Sequence, residues 1–139
     1  MKLTLFTAEE ANRMVVEIRP LLERLAVTKR DLDRLQGRID VLSLAVAGAA
    51  PDNPDAQELH RALEQRRRLL DQLQRGGQAI HSRGPLVKDL ERGLVDFYSI
   101  AGDRLIFLCW QLGESEVSHW HTLEGGFANR QPLHRTERE

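Results

Sequence analysis

Residues 84–110 read GPLVKDLERGLVDFYSIAGDRLIFLCW, and the character of the chain changes within this stretch. Before Gly84 and Pro85 the apolar residues recur at helical spacing, whereas after them they alternate and are rich in β-branched and aromatic side chains. Alternation with a period of two is typical of strands, because successive side chains of a strand point to opposite faces. The sequence therefore predicts a helical hairpin over residues 1–84 and a small β-rich domain over residues 85–133.

Four segments of the second part resemble strands. They read PLVK from residue 85, GLVDFYS from 93, RLIFLCW from 104 and EVSHWH from 116, and IAGD between the second and third resembles a turn. The third segment is apolar on both faces, with Leu105, Phe107 and Cys109 on one face and Ile106, Leu108 and Trp110 on the other. Such a strand is usually central and covered on both sides. We expect an antiparallel β-meander of three or four strands, covered by the helices on one side and by the C-terminal segment or a second subunit on the other.

The first part opens with a helix start signal at FTAEEAN, residues 6–12. Thr7 is a good N-cap residue, and Glu10 stands three residues further on, which is the spacing of a capping box. Phe6 then occupies the position of a hydrophobic staple. These features predict that the first helix begins directly after Thr7.

Two runs with alternating steps of three and four residues follow, a spacing typical of coiled-coil seams. The predicted seam residues are Ala11, Met14, Ile18, Leu21, Leu25, Thr28, Leu32, Leu35, Ile39, Leu42 and Val46, then Leu59, Leu63, Arg66, Leu70, Leu73, Gly77 and Ile80. Pro20 lies inside the first run. Because proline lacks a backbone donor and clashes with the preceding turn, we expect a kink or a helix restart there.

A loop near residues 47–56, containing AGAAPDNPD, separates the two runs. Two seam-bearing helices joined by a short loop predict an antiparallel hairpin. The predicted fold class is therefore α+β, a long antiparallel coiled-coil hairpin followed by a small antiparallel β-meander. The polar residues 134–139 are expected to form a flexible tail.

Composition and charge exclude several classes of protein. The formal net charge is −1, so no overall basic excess attracts the chain to nucleic acid or to an anionic membrane. Cys109 is the only cysteine, which excludes an internal disulfide and paired Cys-x-x-Cys zinc motifs. No segment approaches the roughly 18 apolar residues that span a bilayer, and the first residues lack the apolar run of a signal peptide. These features predict a cytoplasmic protein without membrane attachment.

Blocks of sequence along nearly the whole chain resemble a known family. They are FTAEEAN and RPLLERL near the start, GLVDF at 93–97, LCWQLGE at 108–114 and WHTLEGGFANRQPL at 120–133. In this order and at this spacing they resemble an uncharacterised bacterial family of domains of unknown function, family 2203. The resemblance implies a helical hairpin followed by a small β-rich domain, and it implies no activity, cofactor or partner.

The segment EVSHWH places two histidines two residues apart. If it is a strand, Val117, His119 and His121 share one face, with the two imidazoles about 6–7 Å apart, and Trp120 points to the other face. Neutral imidazole is a common ligand of zinc and other transition metals. We therefore predict a divalent transition metal, with zinc as the first choice, bound through this His-x-His strand. The alternatives are ordinary sheet histidines without a cofactor, or a single histidine in acid–base catalysis.

Further metal ligands must come from elsewhere in the chain. Asp96 lies within an apolar strand, where a buried carboxylate is costly unless it is paired. Asp96 and Glu114 are the predicted additional ligands, and Glu124 is another carboxylate close in sequence. Cys109 is a lesser candidate, because within IFLCWQ it resembles a small buried apolar residue. Asp96 can instead accept a hydrogen bond from an imidazole or from Arg130.

A second candidate site follows the histidines, in EGGFANRQP. Gly125 and Gly126 permit a close backbone approach, and Arg130 follows them. We predict that Arg130 binds an anion or carboxylate through its guanidinium group. The alternative is an intramolecular salt bridge from Arg130 to Asp96 or Glu114.

Three function hypotheses follow from these residues. The first is a metal-binding protein, and because the sequence has no credible nucleophile–base pair, enzymatic activity is not predicted. The second is a non-catalytic interaction module, whose hairpin forms a homo-oligomer or binds a helical partner. The third and weakest is a transcription or nucleic-acid accessory factor, suggested by arginines 66–68 and by Asp52 and Asp55 at the hairpin tip. Neighbouring acidic residues dilute the field of those arginines and argue against nucleic acid as a partner.

Overall fold

The computed structural model describes residues 3–133. Two long helices, α1 at Ala8–Ala45 and α2 at Pro54–His81, pack against each other. A five-stranded antiparallel sheet follows, with β1 at Leu86–Asp89, β2 at Leu94–Ala101, β3 at Arg104–Gln111, β4 at His119–His121 and β5 at Gln131–Pro132. The predicted α+β class is confirmed. Within residues 3–133 neither helix has the length and apolar character to cross a membrane, and the predicted flexible tail lies outside the described residues.

The first helix begins where the capping signal predicted. The Thr7 hydroxyl accepts a hydrogen bond from the Glu10 N–H at 3.1 Å, and the Glu10 carboxylate accepts one from the Thr7 N–H at 3.0 Å. Phe6 is buried, and its ring packs edge-on against Phe97 of β2 with the centroids 5.1 Å apart. The Phe6 N–H donates to the carbonyl of Tyr98 at 2.8 Å. The start of α1 is therefore attached directly to the sheet.

Helix α1 continues without interruption through Pro20. Of the two expected outcomes the helix restart is therefore wrong, and the kink stays a prediction. Ile18 and Leu22 on either side of the proline are fully buried, and burial of such side chains contributes about 1.5–3 kcal/mol each. This packing offsets the roughly 3 kcal/mol that proline costs inside a helix.

The seam of α2 lies one residue away from the predicted one at two positions, where Ala62 and Leu69 are buried in place of the predicted Leu63 and Leu70. At the third position both Gly76 and the predicted Gly77 are half-buried, and Gly76 is the one next to Leu25 of α1. Leu63 and Leu70 are 38% and 49% exposed instead. Alanine and glycine allow the two helices to approach closely, and this close approach determines which side of α2 faces α1. Arg66 is half-buried as predicted, and its guanidinium donates to Gln36 of α1 at 3.0 Å.

Gly76 lies at a close contact between the two helices, and Gly77 beside it is a matched control. A Cβ on Gly76 would overlap Cδ2 of the buried Leu25 and lie 3.1 Å from its Cγ, whereas one on Gly77 would meet nothing within 4 Å. Both alanine substitutions gain the same helix propensity, but only Gly76→Ala overpacks the interface. We expect Gly76→Ala to be about 1–3 kcal/mol less stable than Gly77→Ala in urea unfolding. Equal stabilities would show that the interface yields at Leu25.

The strands pair in chain order, as a meander requires. Strands β2 and β3 pair over their full length, from Leu94 opposite Gln111 to Ala101 opposite Arg104. Strand β4 pairs with β3 on the other side, with His119 opposite Cys109. The fifth strand was not predicted, because its two residues are too short to show a periodic pattern.

Different segments of the chain pack on the two faces of the sheet. Helix α1 and Ile80 of α2 pack on the inner face, which carries Val95, Phe97, Ile106, Leu108 and Trp110. Asp96, Phe107, Cys109 and His121 lie on the outer face, where residues 123–127 complete a cavity. The C-terminal segment therefore covers part of the outer face, as one of the two sequence alternatives predicted. Val117 precedes β4 and packs in the inner core. The prediction that it shares a face with the two histidines is therefore wrong. The Val117 N–H donates to the side chain of Asn12 in α1 at 2.6 Å.

Candidate metal centre

Three side chains of metal-binding type meet on the outer face of the sheet. Asp96 of β2 lies directly opposite Cys109 of β3, and His121 reaches them from β4 on the other side of β3. One ligand atom from each residue lies within 4.8 Å of the others, and all three residues are buried. Asp96, Cys109 and His121 are called the triad below.

Hydrogen bonds define which nitrogen of His121 is available to a cation. Its Nδ1 lies 2.7 Å from the backbone carbonyl oxygen of Thr122. A carbonyl only accepts, so Nδ1 carries a hydrogen and donates it. Nε2 lies 3.0 Å from Oδ1 of Asp96. When the imidazole is neutral, Nε2 presents a lone pair to the carboxylate, and a proton or a metal cation must lie between the two atoms.

The thiol of Cys109 is held in its protonated form by its surroundings. Burial, together with the charge of Asp96, raises the pKa of Cys109 to about 12, although Arg130 acts in the opposite direction. A bound metal ion deprotonates a coordinating thiol outright, since the cation takes the place of the proton. Cys109 is therefore an inert buried thiol until a cation replaces its proton.

Zinc is one of the transition metals that bind the donor types of the triad. Zinc binds thiolate sulfur at about 2.3 Å, imidazole nitrogen at about 2.0–2.1 Å and carboxylate oxygen at about 2.0–2.2 Å. In a tetrahedral site these lengths put neighbouring ligand atoms about 3.3–3.7 Å apart. The 3.0 Å between His121 and Asp96 is somewhat shorter, and all three ligand atoms lie within 4.8 Å of one another, so binding an ion requires these side chains to adjust.

Glu114 and Arg130 form a two-pronged ion pair beside the triad. The Arg130 guanidinium donates to both carboxylate oxygens of Glu114, at 3.0 and 2.6 Å. Partial burial acts to raise the pKa of Glu114, but hydrogen bonds from Arg130 and from the Gln111 N–H outweigh it and hold this pKa below its ordinary value. The contact with Glu114 raises the pKa of Arg130. Arg130 thus makes the intramolecular contact that was the alternative to an anion site, and its anion-binding role stays a prediction.

The structure divides the predicted ligand set between these two groups. His119 shares the outer face with His121, but its Nδ1 lies 3.0 Å from the Ser118 hydroxyl and 4.0 Å from Glu114. His121 instead joins Asp96 and the lesser candidate, Cys109. Glu124 lines the cavity next to the triad without joining it. All three triad residues were among the predicted candidates, with Cys109 as the lesser one, whereas the predicted His119 and Glu114 lie outside the triad.

A sequence signal for Cys109 exists in the turn between β2 and β3. Ala101 pairs with Arg104, so Gly102 and Asp103 form a two-residue loop, and Gly102 has a positive φ of 64°. Two-residue loops determine hairpin register. Counting five residues back from Ala101 and five forward from Arg104 places Asp96 opposite Cys109. A wider turn, such as the whole of IAGD, does not give this pairing.

The fold and the site together define an α+β protein, a helical hairpin joined to an antiparallel meander that carries a candidate metal centre. The chain belongs to the family described as Uncharacterized conserved protein (DUF2203), whose model matches residues 4–133. This confirms the family that the sequence blocks indicated. No curated protein and no solved structure matches the chain.

Proposed function

We propose that this protein binds a divalent transition metal ion, with zinc as the best match, through the triad. The observation that carries the proposal is the contact between His121 and Asp96. The other nitrogen of His121 is committed to a carbonyl, so Nε2 faces the carboxylate at 3.0 Å across a position that needs a cation. A backbone carbonyl that orients an imidazole in this way is a recurrent outer partner of metal-binding histidines.

The third residue favours a metal ion over a proton at this position. A proton is sufficient to join one imidazole to one carboxylate, and the thiol of Cys109 then only hydrogen-bonds to Asp96 and Arg130. A divalent ion uses all three donors at once. Two anionic ligands also balance its charge, and a neutral centre is the least costly one to keep in a buried site.

Metal analysis of the purified protein tests the proposal. We expect about one equivalent of transition metal per chain, or uptake of about one equivalent of zinc after the protein is stripped with a chelator. The proposal is contradicted if the protein holds less than about a tenth of an equivalent and also takes up no zinc when it is offered.

The hairpin supports a second candidate function, association with another copy of this chain. Leu63 and Leu70 lie seven residues apart on α2 and are substantially exposed, and this is the repeat of a coiled-coil seam. A second copy placing the same stripe there would bury both leucines. Oligomerisation stays a prediction, as do a helical partner and the weaker role as a nucleic-acid accessory factor, and light scattering over a range of protein concentrations tests the first of these.

A further inference from the structure

The triad opens onto a cavity on the outer face of the sheet. The cavity has a volume of about 280 Å³, and all three triad residues contribute to its wall. Its opposite wall includes Phe127, from the segment that covers this face. A volume near the lower end of small-molecule pockets, which run from about 300 to 1,000 Å³, suits a ligand of a few heavy atoms.

The number of protein ligands determines whether a metal ion in the triad has a coordination position left for another ligand. Within residues 3–133 no fourth His, Cys, Asp or Glu joins the triad. Structural zinc sites use four protein ligands, whereas sites with three keep the fourth position for water or an external ligand. An ion held by the triad would therefore have its fourth coordination position open to a non-protein ligand. Such a ligand can reach the ion through the cavity.

Three cationic side chains among residues 3–133 lie around the cavity. Arg130 already pairs with Glu114, and its guanidinium lies 4.5 Å from the ring centre of Phe127 and contacts Cys109. The other two are Lys88 and Arg92. The Lys88 ammonium lies 5.0 Å from the ring centre of Phe107, the residue directly opposite His121. The Arg92 guanidinium lies 4.8 Å from the ring centre of Phe127. Both charges are thus held against aromatic walls of the cavity, where they can meet a negative group.

Two carboxylates are also in the wall, and neither contacts the triad closely enough to join it. Asp89 uses one carboxylate oxygen to accept the Arg92 backbone N–H at 3.0 Å. Glu124 and Lys88 are both exposed, so water screens both charges, but Lys88 is held over the ring of Phe107 directly opposite His121. The metal-bound triad itself is neutral, with one dication and two anionic ligands, and it does not repel an anion.

We propose that the fourth position of the metal takes a small oxyanion, a carboxylate or a phosphate group, with Lys88 as its counter-charge in the cavity. This inference rests on the proposed metal site. It names the chemical class of the ligand, which the three triad residues alone do not.

Cobalt substitution tests the inference separately from the metal site. The stripped protein is loaded with Co²⁺, and acetate, inorganic phosphate and neutral imidazole are titrated while the visible absorption of the ion is recorded. We expect a saturable spectral change with acetate or with phosphate, and the anion that produces it identifies the source of the oxyanion. Imidazole is expected to act more weakly than the effective anion.

Lys88→Gln and Lys29→Gln form a matched pair of variants. Lys29 lies on α1 and pairs with Asp33. We expect Lys88→Gln to lower the affinity for the anion about tenfold while the affinity for cobalt is retained. We expect Lys29→Gln to change neither affinity. Failure to take up cobalt or zinc overturns the proposed function. Three outcomes overturn this inference alone. They are cobalt uptake without a spectral response to either anion, a stronger spectral response to imidazole than to the anions, and an anion affinity that is unchanged in Lys88→Gln.

Discussion

The Cys109→Ser variant is expected to bind zinc at least about a hundredfold more weakly than the parent protein. Serine keeps the size and burial of the side chain but replaces a thiolate donor with a hydroxyl, which does not ionise near neutral pH. Changes to residues that merely orient a metal ligand already cost about 10–100-fold in affinity. Removal of a ligand should cost more, and a competition titration against a chromophoric chelator measures the loss.

His119→Gln is the matched control for this variant. His119 lies directly opposite Cys109 on the same face of the sheet but outside the triad. We expect His119→Gln to bind zinc within about threefold of the parent affinity, because His119 is not a ligand of the ion in the proposed site. The reverse result, a loss in His119→Gln and full affinity in Cys109→Ser, would restore the His-x-His ligand set that the sequence suggested.

His121→Ala is expected to destabilise the metal-free protein by about 3–5 kcal/mol. The side chains of His121 and Asp96 are only 2% and 6% exposed and lie 3.0 Å apart. Removing the imidazole leaves a buried carboxylate without its partner, and it also leaves a cavity in the outer layer of the sheet. Urea unfolding in the presence of a chelator measures this cost without any contribution from metal.

Two comparisons separate this cost from a general sensitivity of β4. His119→Ala removes the same chemical group from the half-buried neighbour, and we expect it to cost less than about 1 kcal/mol. The double variant Asp96→Leu with His121→Leu removes both polar partners, so it should recover part of the stability lost in His121→Ala. Equal losses in the two single histidine variants would show that the buried pair contributes nothing specific.

The sequence by itself determined the features that depend on neighbours along the chain. The capping box of Thr7 and Glu10 joins residues three apart, so their identities suffice to locate the start of α1. Apolar periods of three to four and of two residues likewise predicted the two helices and the alternating faces of β3. The family blocks supported the same order of elements. These interactions are local, and the structure reproduces each of them.

Only the tertiary structure decided the contacts between distant segments. Which side of α2 faces α1 depends on the backbone approach at Gly76, because a leucine at an exposed position has the same period as one in the seam. The triad likewise depends on two strand registers. The two-residue loop between β2 and β3 signals the one that places Asp96 opposite Cys109, but the register of β4 on β3, which brings His121 to them, has no such signal. Period two tells which face a side chain occupies, but not which residue on the next strand lies opposite, and a shift of two residues keeps every face while moving every partner. His121 and Asp96, rather than His121 and His119, are therefore the pair that shares a proton or a metal ion.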